Sequence, residues 1–308
     1  MAAASPPRSG TPGDWAVFGL LGLFWGTSYL FIKIAVETLP TFTLIAGRLG
    51  IGTLVLAVAL LLRRVHLPRE PRIYLYLAVL SIFSISFPFS LITWGERSID
   101  SALASILNAT VPLFTIVLAA LVLHDEPMTV NRLAGLGVGF VGIVVLTSGS
   151  LTGATDSSIL GELAMLGSSA SYAVGNVFAR RTLRGQDPLI PAFFQVCFAF
   201  ATTLLLALVF ERPAEVALVP EAAFSVVWLG IFGSGLAYLC FYHLLARWGS
   251  TRSSMVAYIL PIVGIVGGFL VLGETVDARL LAGTALVIGG IGLVNSRFGT
   301  RKLLGRGA

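Results

Sequence analysis

Pro112-Leu113-Phe114, an apolar run, Asp125-Glu126 and, nine residues beyond that glutamate, Gly135: this stretch is written a second time about 148 residues later. The second copy reads Pro261-Ile262-Val263, an apolar run, Gly273-Glu274 and, again nine residues on, Gly283, with Gly142 and Gly290 at matching offsets. Towards the N-terminus of each copy, Trp25, Phe31 and Lys33 line up with Tyr172, Phe178 and Arg180, and Ile82-Phe83 lines up with Ile231-Phe232. A duplicated unit of this kind in an apolar chain is the usual architecture of a secondary transporter, with the substrate site between the copies.

The surrounding composition sets the class. The chain is 56% hydrophobic and 11% charged, with a mean hydropathy of +0.92, which a water-soluble domain of this size does not tolerate. About 20 apolar residues at 1.5 Å rise cross the hydrocarbon core. Ten such stretches are expected, near 15–35, 41–62, 73–95, 99–123, 130–147, 158–179, 188–210, 221–243, 253–272 and 279–296. The expected fold is therefore all-α and membrane-integral, with ten transmembrane helices in two five-helix repeats, 14–149 and 150–296. Short tails, 1–13 (polar) and 297–308 (basic), flank them. The 34 glycines fit, since small residues let helix backbones approach closely in lipid. The first apolar run has full spanning length and no A-x-A-like site follows it, so no cleavable signal peptide is expected.

Basic residues orient the helices. With a cytoplasmic N-terminus, fifteen Arg and Lys fall on the cytoplasmic side. Four, Lys33, Arg97, Arg212 and Arg279, fall on the other, and Arg48 lies within a span. That bias predicts a multi-pass membrane protein with both termini in the cytoplasm. The net charge of +5 is thus a topology signal and gives no support to a nucleic-acid partner. Five helices per repeat is an odd number, so the second repeat is expected to insert inverted. Inverted repeats allow alternating access through a central cavity.

Polar and aromatic side chains inside spans are expected to face the bundle interior, because exposing them to lipid is costly. By i, i+3, i+4 spacing, helix 1 places Trp25, Ser28 and Tyr29 on one face, and helix 6 offers Tyr172 and Asn176. Helix 3 adds Phe83 and Phe87, helix 4 adds Ser101, Ser105 and Asn108, helix 8 adds Ser234, Tyr238 and Tyr242, and helix 9 adds Ser254 and Tyr258. Packing alternatives stand beside these: the asparagines can join helices by hydrogen bonds, and the serines can be packing material. Trp15, Trp94 and Trp248, near helix ends, read as interfacial anchors. Pro112 and Pro261 each remove a backbone hydrogen bond and kink their helix, giving paired hinges or static bends. Glycines 135, 142, 283 and 290 read as close helix contacts.

Arg48 is the one basic residue well inside a predicted span, and a lone charge there needs a partner or a wet surround. It is a candidate for the anionic group of a cargo, or a structural residue that bonds helix-end carbonyls or snorkels outward. Its repeat equivalent falls at or next to Gln195, which is uncharged. No Asp or Glu sits near the middle of any span, which disfavours a cation exporter built on an embedded carboxylate and favours neutral, zwitterionic or anionic cargo. Cys197 and Cys240 fall inside helices, without disulfide or metal spacing. His66, His124 and His243 have no ligand spacing and no acidic cluster beside them. No catalytic residue, metal or cofactor is expected; a membrane-embedded enzyme would need a nucleophile–base set or a metal cluster.

Trp25-Gly26 with Lys33, the intramembrane Arg48, Ala104-Ser105-Ile106-Leu107 with Pro112-Leu113-Phe114, Glu126 and Gly135, and their second-half equivalents, resemble the EamA-type transporters of the drug/metabolite transporter superfamily. The resemblance covers about 14–296, nearly the whole chain. It implies a ten-helix inner-membrane carrier, monomeric or homodimeric, whose helices 1, 3, 4, 6, 8 and 9 surround a central cavity. The transport reaction it implies has no named cargo; the function expected of the chain is export of a small organic metabolite such as an amino acid. Proton-coupled multidrug or cation efflux and nutrient uptake are the alternatives.

Overall fold

A computed structural model describes residues 11–122, 129–153, 156–183 and 186–295. Among these the chain forms ten long helical elements. They are α1 (Pro12–Ala35), α2 (Thr41–Leu62), α3 (Pro71–Gly95), α4 (Ser101–Val122), α5 (Val130–Gly153), α6 (Asp156–Thr182), α7 (Leu189–Phe210), α8 (220–253), α9 (254–272) and α10 (Ala278–Asn295). Eight of them are long and apolar enough to cross a membrane. The other two are α10, which is shorter, and α6, whose apolarity is diluted by serines. Ser168, Ser169 and Ser171 of α6 are buried, so that helix is shielded by its neighbours.

Helix packing pairs up under exchange of the two repeats. Helix α1 lies on α9 as α6 lies on α4, α2 lies on α8 as α7 lies on α3, and α1 meets α8 as α6 meets α3. Three contacts, α2 with α7, α4 with α9 and α5 with α10, map onto themselves. That is the pattern of a pseudo-two-fold axis between two five-helix repeats.

The repeated glycines explain the α5–α10 contact. A Cβ on Gly135 would lie 2.6 Å from the Gly290 carbonyl oxygen, one on Gly142 would lie 2.8 Å from the Val287 nitrogen, and one on Gly290 would lie 2.5 Å from the Gly139 nitrogen. Only glycine fits where one helix backbone rests on the other. Gly22 and Gly26 do the same for α1 against Ile259 and Val263 of α9.

Both proline helices have an irregular stretch N-terminal to the proline. Helix α4 breaks into a turn at Ala109–Thr110 before Val111 resumes it, and α9 begins as a 3₁₀ segment, Ser254–Tyr258, before its α segment Ile259–Gly267. Proline at 112 cannot donate to the carbonyl four residues back. Ser169 Oγ on α6, in the other repeat, lies 3.5 Å from the freed Asn108 O and 3.1 Å from Leu107 O, which also accepts from Thr110 N and Thr110 Oγ1.

Helices α3 and α8 each carry a π-helical segment, Ile82–Ser86 and Leu229–Leu236, at equivalent places in the two repeats. A π turn leaves a carbonyl short of its usual partner, and such turns recur at functional sites. In α3 the Phe83 carbonyl accepts from Ser171 Oγ of α6 at 2.7 Å.

Candidate functional site

Arg48 organises the centre of the bundle. It is 3% exposed, so it does not snorkel, and among the described residues it bonds no helix-end carbonyl. Its Nε donates to Ser234 Oγ in the α8 π segment at 3.1 Å, and its Cζ sits 4.4 Å from the centroid of the Phe89 ring on α3. Gly233 makes the space: a Cβ there would lie 2.9 Å from Ser28 Oγ and 3.2 Å from an Arg48 terminal nitrogen. Among the described residues no carboxylate lies within 4 Å of the guanidinium. A buried cation with no ion-pair partner is expensive. Here the ring face of Phe89 and the Ser234 hydroxyl touch it, and the phenols of Tyr172, Tyr238 and Tyr29 and the Glu96 carboxyl lie within electrostatic reach.

The sequence-predicted residues converge on this centre in part. Asn108 donates through Nδ2 to the Tyr29 hydroxyl at 2.5 Å, and its Oδ1 accepts from Ser168 Oγ of α6 at 3.3 Å. Trp25 packs against Tyr238 and Phe241 of α8, with ring centroids 6.2 and 5.4 Å apart. Ser28 is buried but bonds back to its own helix at Phe24 O, 2.8 Å, and faces Gly233. Tyr172 and Tyr258 pack against the main buried cluster. Gln195, the repeat counterpart of Arg48, donates to Tyr242 Oη at 3.1 Å.

Three candidates are more exposed than the residues around Arg48. Phe83 and Phe87 are 37% and 51% exposed and join none of the buried clusters among the described residues. Phe83 lies within the π segment and Phe87 directly follows it. Asn176 is exposed, 3.5 Å from Thr115 Oγ1 on α4. Trp248, expected as an interfacial anchor, is 5% exposed, because Trp15 and Phe18 cover it at 4.8 and 5.6 Å.

One face of the bundle is tied shut by carboxylates that cross from one repeat to the other. Gly273 adopts φ +68°, the left-handed conformation that ends α9, and the turn carries Glu274 back over the bundle. Its carboxylate accepts from the backbone N–H groups of Ser101 and Ala102 at 2.7 and 3.0 Å, satisfying the start of α4. Glu211, just past α7, does the same for Phe42 and Thr43 at the start of α2, at 2.9 and 2.7 Å. On the same face Lys33 Nζ donates to Glu96 O and Ile99 O at 2.8 and 2.7 Å, and Arg97 donates to Leu39 O at 2.8 Å. The motif's first-copy counterpart, Asp125-Glu126, lies outside the described residues.

Sequence reasoning missed Glu96. Its side chain is fully buried, and neither carboxylate oxygen has a hydrogen-bond partner among the described residues. At the opposite face, α1 is anchored by Asp14. It forms a capping box with Thr11 and takes an ion pair from Arg247 Nε at 2.7 Å, with His243 Nε2 at 3.2 Å.

A sequence model of the EamA-like transporter family matches residues 13–148 and, a second time, residues 159–296. An "Uncharacterized transporter" of Archaeoglobus fulgidus is 26% identical, with 91% of this chain and 98% of that protein aligned. A "Probable terminal-alkyne amino-acid exporter" of Streptantibioticus cattleyicolor is 28% identical, covering 95% of this chain and 94% of that one. The "Uncharacterized inner membrane transporter YedA" of Escherichia coli is 27% identical, covering 85% and 83%. One crystal structure superposes with a TM-score of 0.68 at 23% identity, over 92% of this chain and 96% of that one, and so shares its fold.

Proposed function

The chain belongs to the EamA-like transporter family, and from that premise we propose that it is a secondary carrier that exports a small amino-acid-like metabolite across an inner membrane. The observation that carries the cargo class is Arg48. A fixed guanidinium, desolvated among phenols and lacking a carboxylate partner, is a receptor for a carboxylate. Trp25 and Tyr238 supply an aromatic wall for an apolar side chain. The name of the Streptantibioticus relative, an amino-acid exporter, supports cargo and direction alike.

In this reading both termini face the cytoplasm, as the basic-residue bias favours, and the face closed by Glu274 and Glu211 is the outer one. The two repeats rock about their shared axis, exposing the Arg48 centre first to one side and then to the other. The irregular turns at Pro112 and Pro261 are where α4 and α9 bend. A membrane-embedded enzyme is excluded by the family.

The test is a thermal-shift screen of purified protein against amino acids and their N-acyl and ester derivatives, since a ligand of the folded state raises its melting temperature. A free carboxylate is expected to be required. A hydrogen bond to a charged group contributes about 1.5–3 kcal/mol, so Arg48→Gln should weaken affinity by about 10- to 150-fold. A folded Arg48→Gln protein that binds the same amino acid with unchanged affinity would exclude the substrate role.

A further inference from the structure

Glu96 is the first residue beyond α3, and among the described residues its buried carboxyl group has no hydrogen-bond or ion-pair partner. The nearest candidate cation is already committed, because Lys33 Nζ spends its short bonds on the carbonyls of Glu96 and Ile99. The next acid, Glu274, is satisfied by the start of α4. The charged and titratable groups around Glu96 are therefore Lys33 and Tyr29 of α1, Arg48 of α2, Asp100 in the α3–α4 connection, Glu274 after α9 and the buried Glu162 of α6. Arg97, next in sequence, points to Leu39 O. Closing this face therefore carries a carboxyl group with no bonded counter-ion out of water.

The same face of α3 connects Glu96 to the centre. Ser86, Phe89, Thr93 and Glu96 follow at steps of three, four and three, one stripe of a helix. Phe89 touches Arg48, while the hydroxyls of Ser86 and Thr93 are buried and, like the Glu96 carboxyl, lack protein partners among the described residues. A buried, unpaired carboxylate is far costlier than the neutral acid.

We propose that Glu96 is a proton-binding site of the transport cycle: the carboxyl takes up one proton as the Glu274 face closes over it, and returns that proton to water when the face opens. The only bond made or broken is the carboxyl O–H, and the proton comes from and returns to solvent. Closure is then linked to proton uptake, and the pH on the Glu274 side sets how readily the carrier closes there. Burial pushes the Glu96 carboxyl well above the ordinary carboxylate range, with Lys33 opposing and Glu274 reinforcing that rise. The sign follows. In acid below the ordinary glutamate value, closure is independent of pH. Above it, and up to the raised value of the closed state, closure weakens by up to tenfold for each pH unit, one proton being at stake.

The proposal rests on the carrier reading for the existence of an open state, and the test separates the two. In a Cys197→Ser, Cys240→Ser background, Ile99→Cys places a reporter thiol at a position 5% exposed beneath the closed face. Its modification rate by a bulky water-soluble maleimide is measured between pH 5 and 8. Each rate is divided by that of the same thiol in detergent-unfolded protein, which removes the thiol's own pH dependence. The expected result is a rate that climbs with pH by up to tenfold per unit. It should be flattened by Glu96→Gln at the slow, acid-side level and restored by Glu96→Asp. A pH-independent rate, or an unchanged slope in Glu96→Gln, overturns the proposal. Where the thiol is never modified, the carrier reading fails and infrared spectra decide Glu96 alone. A protonated-carboxyl band at pH 7 that vanishes in Glu96→Gln upholds the site, and its absence from the unsubstituted protein refutes it.

Discussion

Glu274→Gln should loosen one face of the bundle and leave its fold intact. The carboxylate holds the Ser101 and Ala102 N–H groups at 2.7 and 3.0 Å, and a Cβ on Gly268 would run into it, so it is wedged between α4 and the end of α9. Bonds to a charged acceptor contribute about 1.5–3 kcal/mol each. A negative charge at a helix N-terminus adds about 0.3–1 kcal/mol. Glutamine keeps one acceptor oxygen but presents an NH₂ to the second N–H, so one bond and the charge are lost. The net cost to the closed face is about 2–3 kcal/mol, or about 30- to 150-fold in the ratio of closed to open protein. The Ile99→Cys modification rate reads that ratio directly. A rise of that size at fixed pH is expected, with the melting temperature lowered by only a few degrees. A rate within threefold of the parent, in protein that stays folded, would show that Glu274 does not hold this face closed.

Two further substitutions probe the frame. Gly290→Val drives a side chain into the α5 backbone, where even a Cβ meets atoms at 2.5–2.7 Å; it should cost at least about 2 kcal/mol and lower the detergent melting temperature, whereas Gly289→Ala, with open space around it, should not. Equal melting of the two variants would discount the glycine contact. Ser169→Ala removes the donor shared by Leu107 O and by Asn108 O, the carbonyl freed by Pro112, and should destabilise by about 1–2 kcal/mol, whereas in a Pro112→Ala background, where the backbone donor to Asn108 O is restored, the same change should cost less. Additive losses in that double-mutant cycle would break the link between the two residues.

Much of this was legible in the sequence because the signals are local or periodic. The repeated glycines announced α5 against α10, since a residue without a side chain in an apolar helix marks a close backbone approach. Arg48 stood out as an intramembrane charge, and Trp25, Tyr29, Asn108, Tyr172 and Tyr238 as polar aromatics and amides far from helix ends. What escaped depended on tertiary closure or a change of helical period. Glu96 reads as a loop residue by hydropathy, and only the return of Glu274 across the bundle, with Lys33 pinned to the α3 carbonyls, reveals it as buried. The π segment of α3, at Phe83 and just before Phe87, departs from the 3.6-residue period and carries no local sequence signal. Trp248 sits near a helix end, as anchors do, yet two aromatic neighbours on α1 bury it. The asymmetry between Arg48 and Gln195 was visible at once. Its consequence, a cation facing phenols in one repeat and an amide facing Tyr242 in the other, needed the fold.

The most direct measurement is counterflow in proteoliposomes preloaded with the amino acid that gives the largest thermal shift. Labelled substrate added outside should enter transiently above equilibrium, saturate with concentration, and depend on unlabelled substrate inside, with the half-saturating concentration raised about 10- to 150-fold by Arg48→Gln. Flux that rises linearly with concentration, indifferent to internal substrate and to Arg48, would contradict an alternating-access carrier with its carboxylate site at Arg48.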